Sequence, residues 1–428
     1  MSNYPKVLVI SHNVFSNTSN MGRTLANFFL GWPKDKIAQF YIHSEQPTTD
    51  VSINYFRVTD FDNIKKPKGK IGTVFGEADI TPDLVSERVD AGGEAKIYQH
   101  GRSRKPYMYL GRNFIWGLNR WYNKRLKAWL DEFSPEVIFF ASGDYAFSYR
   151  IAQKIAKRFN IPIVTYVCDD FYFLKKDDNS FLYRLSKRQF DRTMKKLFSE
   201  NPELVAICDK ISEDYEKEFG TKSHTVMTTS TQEKLEKTGQ NEKVKFSYIG
   251  NLGYKRFAQV IDIGKALLEV SGGEILLDIY SGEKKEEKLK FLTKENGIDF
   301  HGSIPYDEVV KVMQESDVLI HTESFDEDMK KRVRHSVSTK IADSLSTGKC
   351  LFAYGPEDVA SMEYLAKNDA AYCVTEKDKF SEALKELIEN EDLRKEYAKK
   401  AETVAGKFHN MEENCRKIKK ILSDACTK

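Results

Sequence analysis

The chain has 428 residues, 40% hydrophobic and 31% charged, with 67 Lys and Arg against 64 Asp and Glu for a formal charge of +3. That length exceeds one ordinary core and predicts two domains of roughly 200 residues each. The near-balanced charge excludes the global field that would draw a protein to nucleic acid, so any basic site must come from local clustering. The first predicted element is a strand over 6–10, which leads through a polar loop at 11–20 into a helix over 21–29. Between 61 and 104 the pattern is too poor to place an element. Further on come strands over 137–141, 163–168 and 204–208, with helices over 146–159 and 212–219. Short apolar runs separated by amphipathic helices predict a parallel sheet covered on both faces.

The stretch 102–129 stands apart. It carries Arg102, Arg104, Lys105, Arg112, Arg120, Lys124, Arg125 and Lys127, with no acid before Asp131, interleaved with Tyr107, Tyr109, Phe114, Trp116, Trp121, Tyr122 and Trp129. Basic and aromatic residues together suit an anionic membrane surface or a lipid-diphosphate acceptor. The spacing of Ile115, Leu118, Tyr122, Leu126 and Trp129 equally suits a helix packed on the sheet with its basic side in water.

A polar stretch from Gly220, containing Thr228, Thr229, Ser230, Thr231 and Gly239, interrupts the alternation and sets a linker at 223–243. A second series follows: strand 245–249, helix 257–270, strand 275–280, a charged helix over 283–296, strand 299–301, helix 306–316 and strand 318–322. After it come a helix and strand within 338–356, a strand over 370–374 and a helix over 377–389. The stretch 394–422 is helical in composition with no strand after it. The expected division is 1–222, the linker 223–243, a second domain at 244–404, and a terminal helix at 405–428.

The segment 338–356 (STKIADSLSTGKCLFAYGP) is the most telling. It reads as a short helix opened by the hydroxyls of Ser338 and Thr339, closed at Gly348, and followed by a buried strand that stops at Gly355-Pro356. A helix N-terminus offers unpaired N–H groups and partial positive charge, which suits a phosphate. Lys340 in the first turn opposes the helix dipole, a cost that a nearby anion would offset. Gly250-Asn251-Leu252-Gly253-Tyr254-Lys255-Arg256 joins the first strand of the second series to its helix. Glycines there let the backbone approach a pyrophosphate, and a Lys or Arg can neutralise a leaving diphosphate; the bland alternative is a βα turn with solvated basic residues. Glu323 follows the 318–322 strand. Asp326-Glu327-Asp328 matches a three-residue acidic metal pattern, but too weakly to make a metal site. The run Lys330-Lys331-Arg332-Val333-Arg334 either attracts phosphates or is a solvated loop, with His335 beside it as an exposed loop histidine. In the first domain, Gly22 sits in the polar loop entering a helix, where Ser19 or Asn20 is a candidate N-cap. Asp169 and Asp170 end a buried strand, suited either to orienting and deprotonating a hydroxyl or to capping the loop.

Taken together, these segments resemble GT-B glycosyltransferases, closest to family 4. The resemblance implies two Rossmann-like doubly wound domains with the C-terminal helix crossing back to the N-terminal domain. It further implies a hexosyltransferase-type enzyme that moves a sugar from a nucleotide-diphosphate sugar to a hydroxyl acceptor in polysaccharide or glycolipid assembly. A retaining mechanism with no metal and no other cofactor comes with it. By this resemblance Gly22, Gly250, Asn251, Lys255, Glu323, Ser338, Thr339 and Asp343 bind the donor, with Asp343 on the ribose hydroxyls. Either Lys255 or Arg256 takes the family's lysine role, helix phase favouring Arg256; Arg256 and Lys340 help the diphosphate leave, and Asp169 or Asp170 positions the acceptor. Asn251 stands where an Arg is common, and His335 where the family has a Glu tied to the transferred sugar. Those departures leave room for a non-catalytic subunit of the same fold, and nucleotide-sugar 2-epimerases share the architecture.

Six scattered cysteines (168, 208, 350, 373, 415 and 426) lack Cys-x-x-Cys spacing, so neither a disulfide framework nor a zinc site is expected. With no secretory signal before Val14 and no run of ~20 apolar residues, a cytoplasmic protein is expected. Any contact with the inner face of a membrane would run through 102–129.

Overall fold

A computed structural model describes residues 4–17, 20–80, 105–174, 178, 180–230 and 241–427. The chain divides into two compact units, Met1–Val226 with Asn414–Lys428, and Met227–Glu413. Each is built on a mostly or wholly parallel sheet.

In the first unit the strands are β1 (Val7–Ser11), β2 (Ile37–Tyr41), β3 (Asn54–Arg57), β4 (Thr73–Phe75), β5 (Val137–Ala141), β6 (Ile163–Val167), β7 (Glu203–Ala206) and β8 (Lys222–Thr225). They lie in the order β4-β3-β2-β1-β5-β6-β7-β8, with only β4 antiparallel to its neighbour. β1 is central, Val7 pairing with Ile37 on one side and Val137 on the other, and its five residues are all buried. Helices cover both faces, which is why the inner strands read as unbroken apolar runs. The chain runs outward from β1 in one direction and from β5 in the other. Their C-terminal ends therefore form a switch-point crevice of the kind in which α/β proteins bind ligands.

The terminal helix Met411–Cys426 belongs to this unit: Ile418, Ile421, Leu422 and Ala425 sit in one core with Val7, Val9, Phe28 and Val137. The crossing back implied by the resemblance is present. The boundaries differ from the sequence reading in detail. The 222/223 division falls inside β8, whose Lys222 pairs with Glu203 of β7. The 404/405 division falls inside the helix Glu391–Phe408, whose Ala401, Val404 and Ala405 are second-unit core.

The 102–129 stretch forms two helices, Pro106–Gly117 and Lys124–Phe133. Asn119, at φ +53°, ends the first, and the Asn123 side chain caps the second by accepting from Leu126 N–H at 3.0 Å. Trp116, Trp121, Leu126 and Trp129 are buried, but of the predicted face Ile115 and Tyr122 are only half-buried and Leu118 is 53% exposed, because the stretch breaks into two helices with separate faces. Arg102 and Arg104 lie outside the described residues.

The second unit's strands are β9 (Phe246–Ile249), β10 (Leu277–Tyr280), β11 (Ile298–Gly302), β12 (Val318–Thr322), β13 (Cys350–Tyr354) and β14 (Tyr372–Val374), in the order β11-β10-β9-β12-β13-β14, all parallel. Its switch point lies between β9 and β12. The charged helix expected at 283–296 shrinks to one turn, Glu286–Leu289, and a 3₁₀ turn, Lys294–Asn296. The Glu283 carboxylate caps the backbone N–H groups of Lys284 and Lys285, and Gly297 at φ +72° ends the segment.

Candidate functional site

The second unit's switch point gathers most of the residues singled out by the sequence. Beyond β9 the chain turns through Gly250 to Gly253, with the Tyr248 hydroxyl donating to Asn251 C=O at 2.8 Å. A Cβ at Gly250 would meet that phenol at 3.0 Å, so the glycine allows the turn to close on the ring. Tyr254 and Lys255 adopt left-handed backbone, φ +51° and +57°, and the helix Arg256–Val270 begins at the next residue. Lys255 pairs with Asp326, holding that carboxyl below its usual range. Asp326 also caps the helix Glu327–Val333 by accepting from Met329 N–H at 3.2 Å, so the acidic triplet starts a helix.

Arg256 is bound bidentate to Glu323, Nε to Oε2 at 2.9 Å and Nη2 to Oε1 at 2.7 Å. Glu323 is 1% exposed. Burial pushes its carboxyl up, with Arg256 opposing, while the carboxylate more than offsets burial and keeps Arg256 firmly charged. This pair changes the part expected of Arg256, because two of its donors are already taken. His321, in β12, has Nε2 3.9 Å from Glu323 Oε1 and no hydrogen-bond partner for that atom among the described residues. Burial, then Arg256, pushes its pKa down to about 3, so it is neutral.

The helix Thr339–Ser346 opens as the sequence implies: Ser338 caps it, accepting from Lys340 N–H at 3.4 Å, and Gly348 stands beyond its end at φ +64°. Lys340 is exposed and has no ion-pair partner among the described residues; partial desolvation lowers its pKa, Asp343 opposing and Arg256 assisting. The Asp343 carboxylate accepts from Ser230 Oγ at 2.9 Å, a contact from the expected linker. A cavity of about 80 Å³ is lined by Gly250, Asn251, Arg256, His321, Ser338 and Lys340. A neighbouring one of about 540 Å³ shares Gly250, Asn251 and Lys340 and extends past Ser281, Lys288 and Ser303. Both open at the C-terminal ends of parallel strands. Thr339 is exposed in the first turn beside Lys340, and neither it nor Lys255, Glu323 or Asp343 lines either cavity.

His335 is buried, 2% exposed, where an exposed loop residue was expected, because the segment between the 327–333 and 339–346 helices packs inward. Two of the four basic side chains of the run are paired: Lys330 contacts Glu327 and Asp358 at 3.1 Å each, and Lys331 contacts Asp328 at 3.7 Å.

In the first unit a cavity of about 490 Å³ at the ends of β1, β5 and β6 is lined by His12, His43, Asp60, Arg112, Asp144, Tyr145 and Asp169, among others. Arg112 Nε lies 3.0 Å from Asp60 and its guanidinium 3.9 Å above the Tyr145 ring; Tyr109 donates to Asp144 at 2.6 Å. The adjacent carboxylates have separate roles. Asp170 Oδ1 accepts from the N–H groups of Tyr172 (3.0 Å) and Phe173 (2.7 Å), closing the loop, whereas Asp169 is exposed in the cavity. Gly22 is a packing glycine: a Cβ there would lie 2.4 Å from Val14 C=O. Of its loop, Thr18 and Ser19 lie outside the described residues.

Sequence reasoning missed His321, Ser230 and the cluster of His12, His43, Arg112, Asp144 and Tyr145. The lone His of an otherwise apolar strand, VLIHT, was the one signal available for the first.

Residues 224–420 match a family model described as glycosyl transferase-like. An uncharacterized glycosyltransferase of Methanocaldococcus jannaschii is 22% identical over 252 residues, 54% of this chain and 61% of that relative. Among solved structures, HepE of Anabaena in complex with UDP aligns with a TM-score of 0.60 at 11% identity, covering 98% of this chain and 100% of that one. WaaG, a glycosyltransferase involved in lipopolysaccharide biosynthesis, aligns at 0.54 and 14% identity, covering 97% and 99%. Sucrose-phosphate synthase of Thermosynechococcus elongatus aligns at 0.58 and 9% identity, covering 98% of each chain. The chain therefore has the GT-B fold found in glycosyltransferases, and its second unit is similar to the glycosyl transferase-like family model.

Proposed function

We propose that the protein is a glycosyltransferase that binds a nucleotide-diphosphate sugar in its second unit and passes the sugar to a hydroxyl acceptor. The observation that carries this reading is Lys340. It is an exposed lysine with no ion-pair partner among the described residues, in the first turn of a helix whose N-terminus lines a small cavity at strand ends. A diphosphate supplies the missing negative charge and accepts from the helix N–H groups. Arg256, fixed by Glu323, contributes positive field rather than a full set of donors. The larger cavity beside it has room for a nucleoside; the ribose role that the resemblance gives Asp343 requires its carboxylate, outside that lining, to leave Ser230. HepE, of the same fold, is described in complex with UDP-glucose, which makes uridine nucleotides the first donors to try.

The acceptor, a saccharide or lipid-linked hydroxyl, is assigned to the first-unit cavity, where Asp169 and Asp144 offer acceptors for hydroxyl protons and Tyr145 an apolar face. Transfer is taken to be retaining and independent of metal. One set of potential metal ligands occurs among the described residues, Asp278, Asp299 and His301 on β10 and β11, outside the lining of the two cavities described above.

The test is a thermal-shift screen with UDP, GDP, ADP and their sugars, followed by a transfer assay with and without EDTA. A ligand at a hundred times its Kd stabilises the folded protein by about 2.7 kcal/mol. Lys340→Ala is expected to weaken the diphosphate by roughly 10- to 100-fold, the range of one charge-assisted hydrogen bond. Because its pKa is lowered, Lys340 loses its proton earlier than an ordinary lysine, so affinity should fall on the alkaline side at correspondingly lower pH. No shift with any nucleotide sinks the reading. Donor binding without turnover would favour the non-catalytic subunit, to which Asn251 and His335 point.

A further inference from the structure

The helices Pro106–Gly117 and Phe181–Glu200 pack together in the first unit, tied by Asn113 donating to Gln189 at 2.9 Å. Their inner sides are ordinary core, with Trp116, Phe190 and Met194 buried. Their outer sides are not what water alone would select. On the first, Tyr107, Phe114 and Leu118 fall on one stripe and are 54%, 69% and 53% exposed. On the second, Phe181, Leu182 and Leu185 are 70%, 42% and 44% exposed. These six are most of the large apolar side chains exposed among the described residues, so the exposure is concentrated on two adjacent helices.

A row of charge accompanies them. Arg184, Arg188 and Arg192, spaced four apart beside Leu185, are all exposed, and none has an acidic partner among the described residues. Lys187, by contrast, is neutralised by Asp191. None of the six apolar residues lines a cavity described above.

We propose that this surface docks on an anionic phospholipid bilayer. Phe114, Phe181 and the leucines enter the boundary between headgroups and acyl chains, and the three arginines lie against lipid phosphates. The charge pattern selects this occupant: unneutralised guanidinium groups in a row match a plane of phosphates, and the aromatic rings supply the apolar half of an interfacial contact. The assignment moves the membrane contact foreshadowed by 102–129 away from Trp116, Trp121 and Trp129, which are interior, and adds the 181–192 segment.

Co-sedimentation of the full chain with vesicles tests this without any transfer assay, so its failure is separate from that of the donor reading. Vesicles of phosphatidylglycerol mixed with phosphatidylcholine should pellet the protein, pure phosphatidylcholine much less, and added salt should release it. Replacing all three arginines by Gln should weaken binding on the order of a hundredfold, while Lys at the same positions should largely preserve it. Phe114→Ser with Phe181→Ser should weaken it at least about tenfold, with circular dichroism melting confirming that each variant folds. Failure to bind anionic vesicles overturns the proposal, as does binding that neither set of variants alters. A lipid-free dimer that the Phe114→Ser, Phe181→Ser pair dissociates would overturn it in favour of a second copy of the chain.

Discussion

Two buried imidazoles make the second unit sensitive to acid. His321 sits near Glu323 and Arg256 with its pKa pushed down to about 3, first by burial and then by Arg256. His409, bonded to the Tyr364 hydroxyl at 2.8 Å and to Thr228 C=O at 2.6 Å, is pushed down to about 4 by burial, with Thr228 opposing. An unfolded histidine titrates near 6.5. Between that value and the folded ones, the unfolded chain takes up protons that the folded chain refuses. Stability is thus complete above pH 6.5 and is lost as the pH falls toward 4, by on the order of 2 kcal/mol per histidine between pH 7 and 5. Urea unfolding at those two pH values should show the drop, and His321→Asn should flatten it; an unchanged slope would exclude His321 as a source. Lys340 and its cap were legible because each depends on neighbours in sequence. The Glu323 partner of Arg256 lies 67 positions away, and only folding brings the two together. The burial of His335 was hidden for the same reason.

The helix Thr339–Ser346 is the element on which the donor site rests, and its ends can be altered separately. At Gly348 a Cβ would meet nothing closer than Glu402 at 3.6 Å, so Gly348→Ala carries only the conformational penalty of φ +64°. That should lower unfolding free energy by about 1 kcal/mol and leave nucleotide affinity unchanged. Ser338→Ala should lower stability by a similar amount, about 1 kcal/mol, but should also weaken the nucleotide, because Ser338 lines the cavity. Denaturant curves beside nucleotide titrations check the split. Strands with two covered faces announced themselves as apolar runs, β5 and β12 among them. β8, reading KSHT, is a polar edge strand whose pairing to β7 no local pattern reveals. β2, reading IAQFY, is fully buried yet interrupted by Gln39, which is satisfied by donating to Ser11 and accepting from Phe15 N–H.

Across the whole molecule, two three-layer units and a helix that returns to the first were readable from strand–helix alternation, because that arithmetic depends only on periodicity. The boundaries were less so, since a helix crossing from one core's neighbourhood to another keeps its period. The return is tested by Leu422→Ala, which removes a fully buried side chain from the first unit's core. It should cost about 2–5 kcal/mol, seen as a lowered denaturation midpoint; a cost near zero would mean the 411–426 helix merely rests on the surface.

That returning helix also dictates when the molecule can be finished. On the ribosome, Val7 and Phe28 emerge well before Ile418 and Leu422, which share their core and follow the whole second unit in the chain. The amino-terminal half must therefore wait, its hydrophobic interior partly uncovered, until all of the following unit has been translated. Emergence of the 411–426 helix, rather than completion of the first sheet, sets the earliest moment at which that core can close.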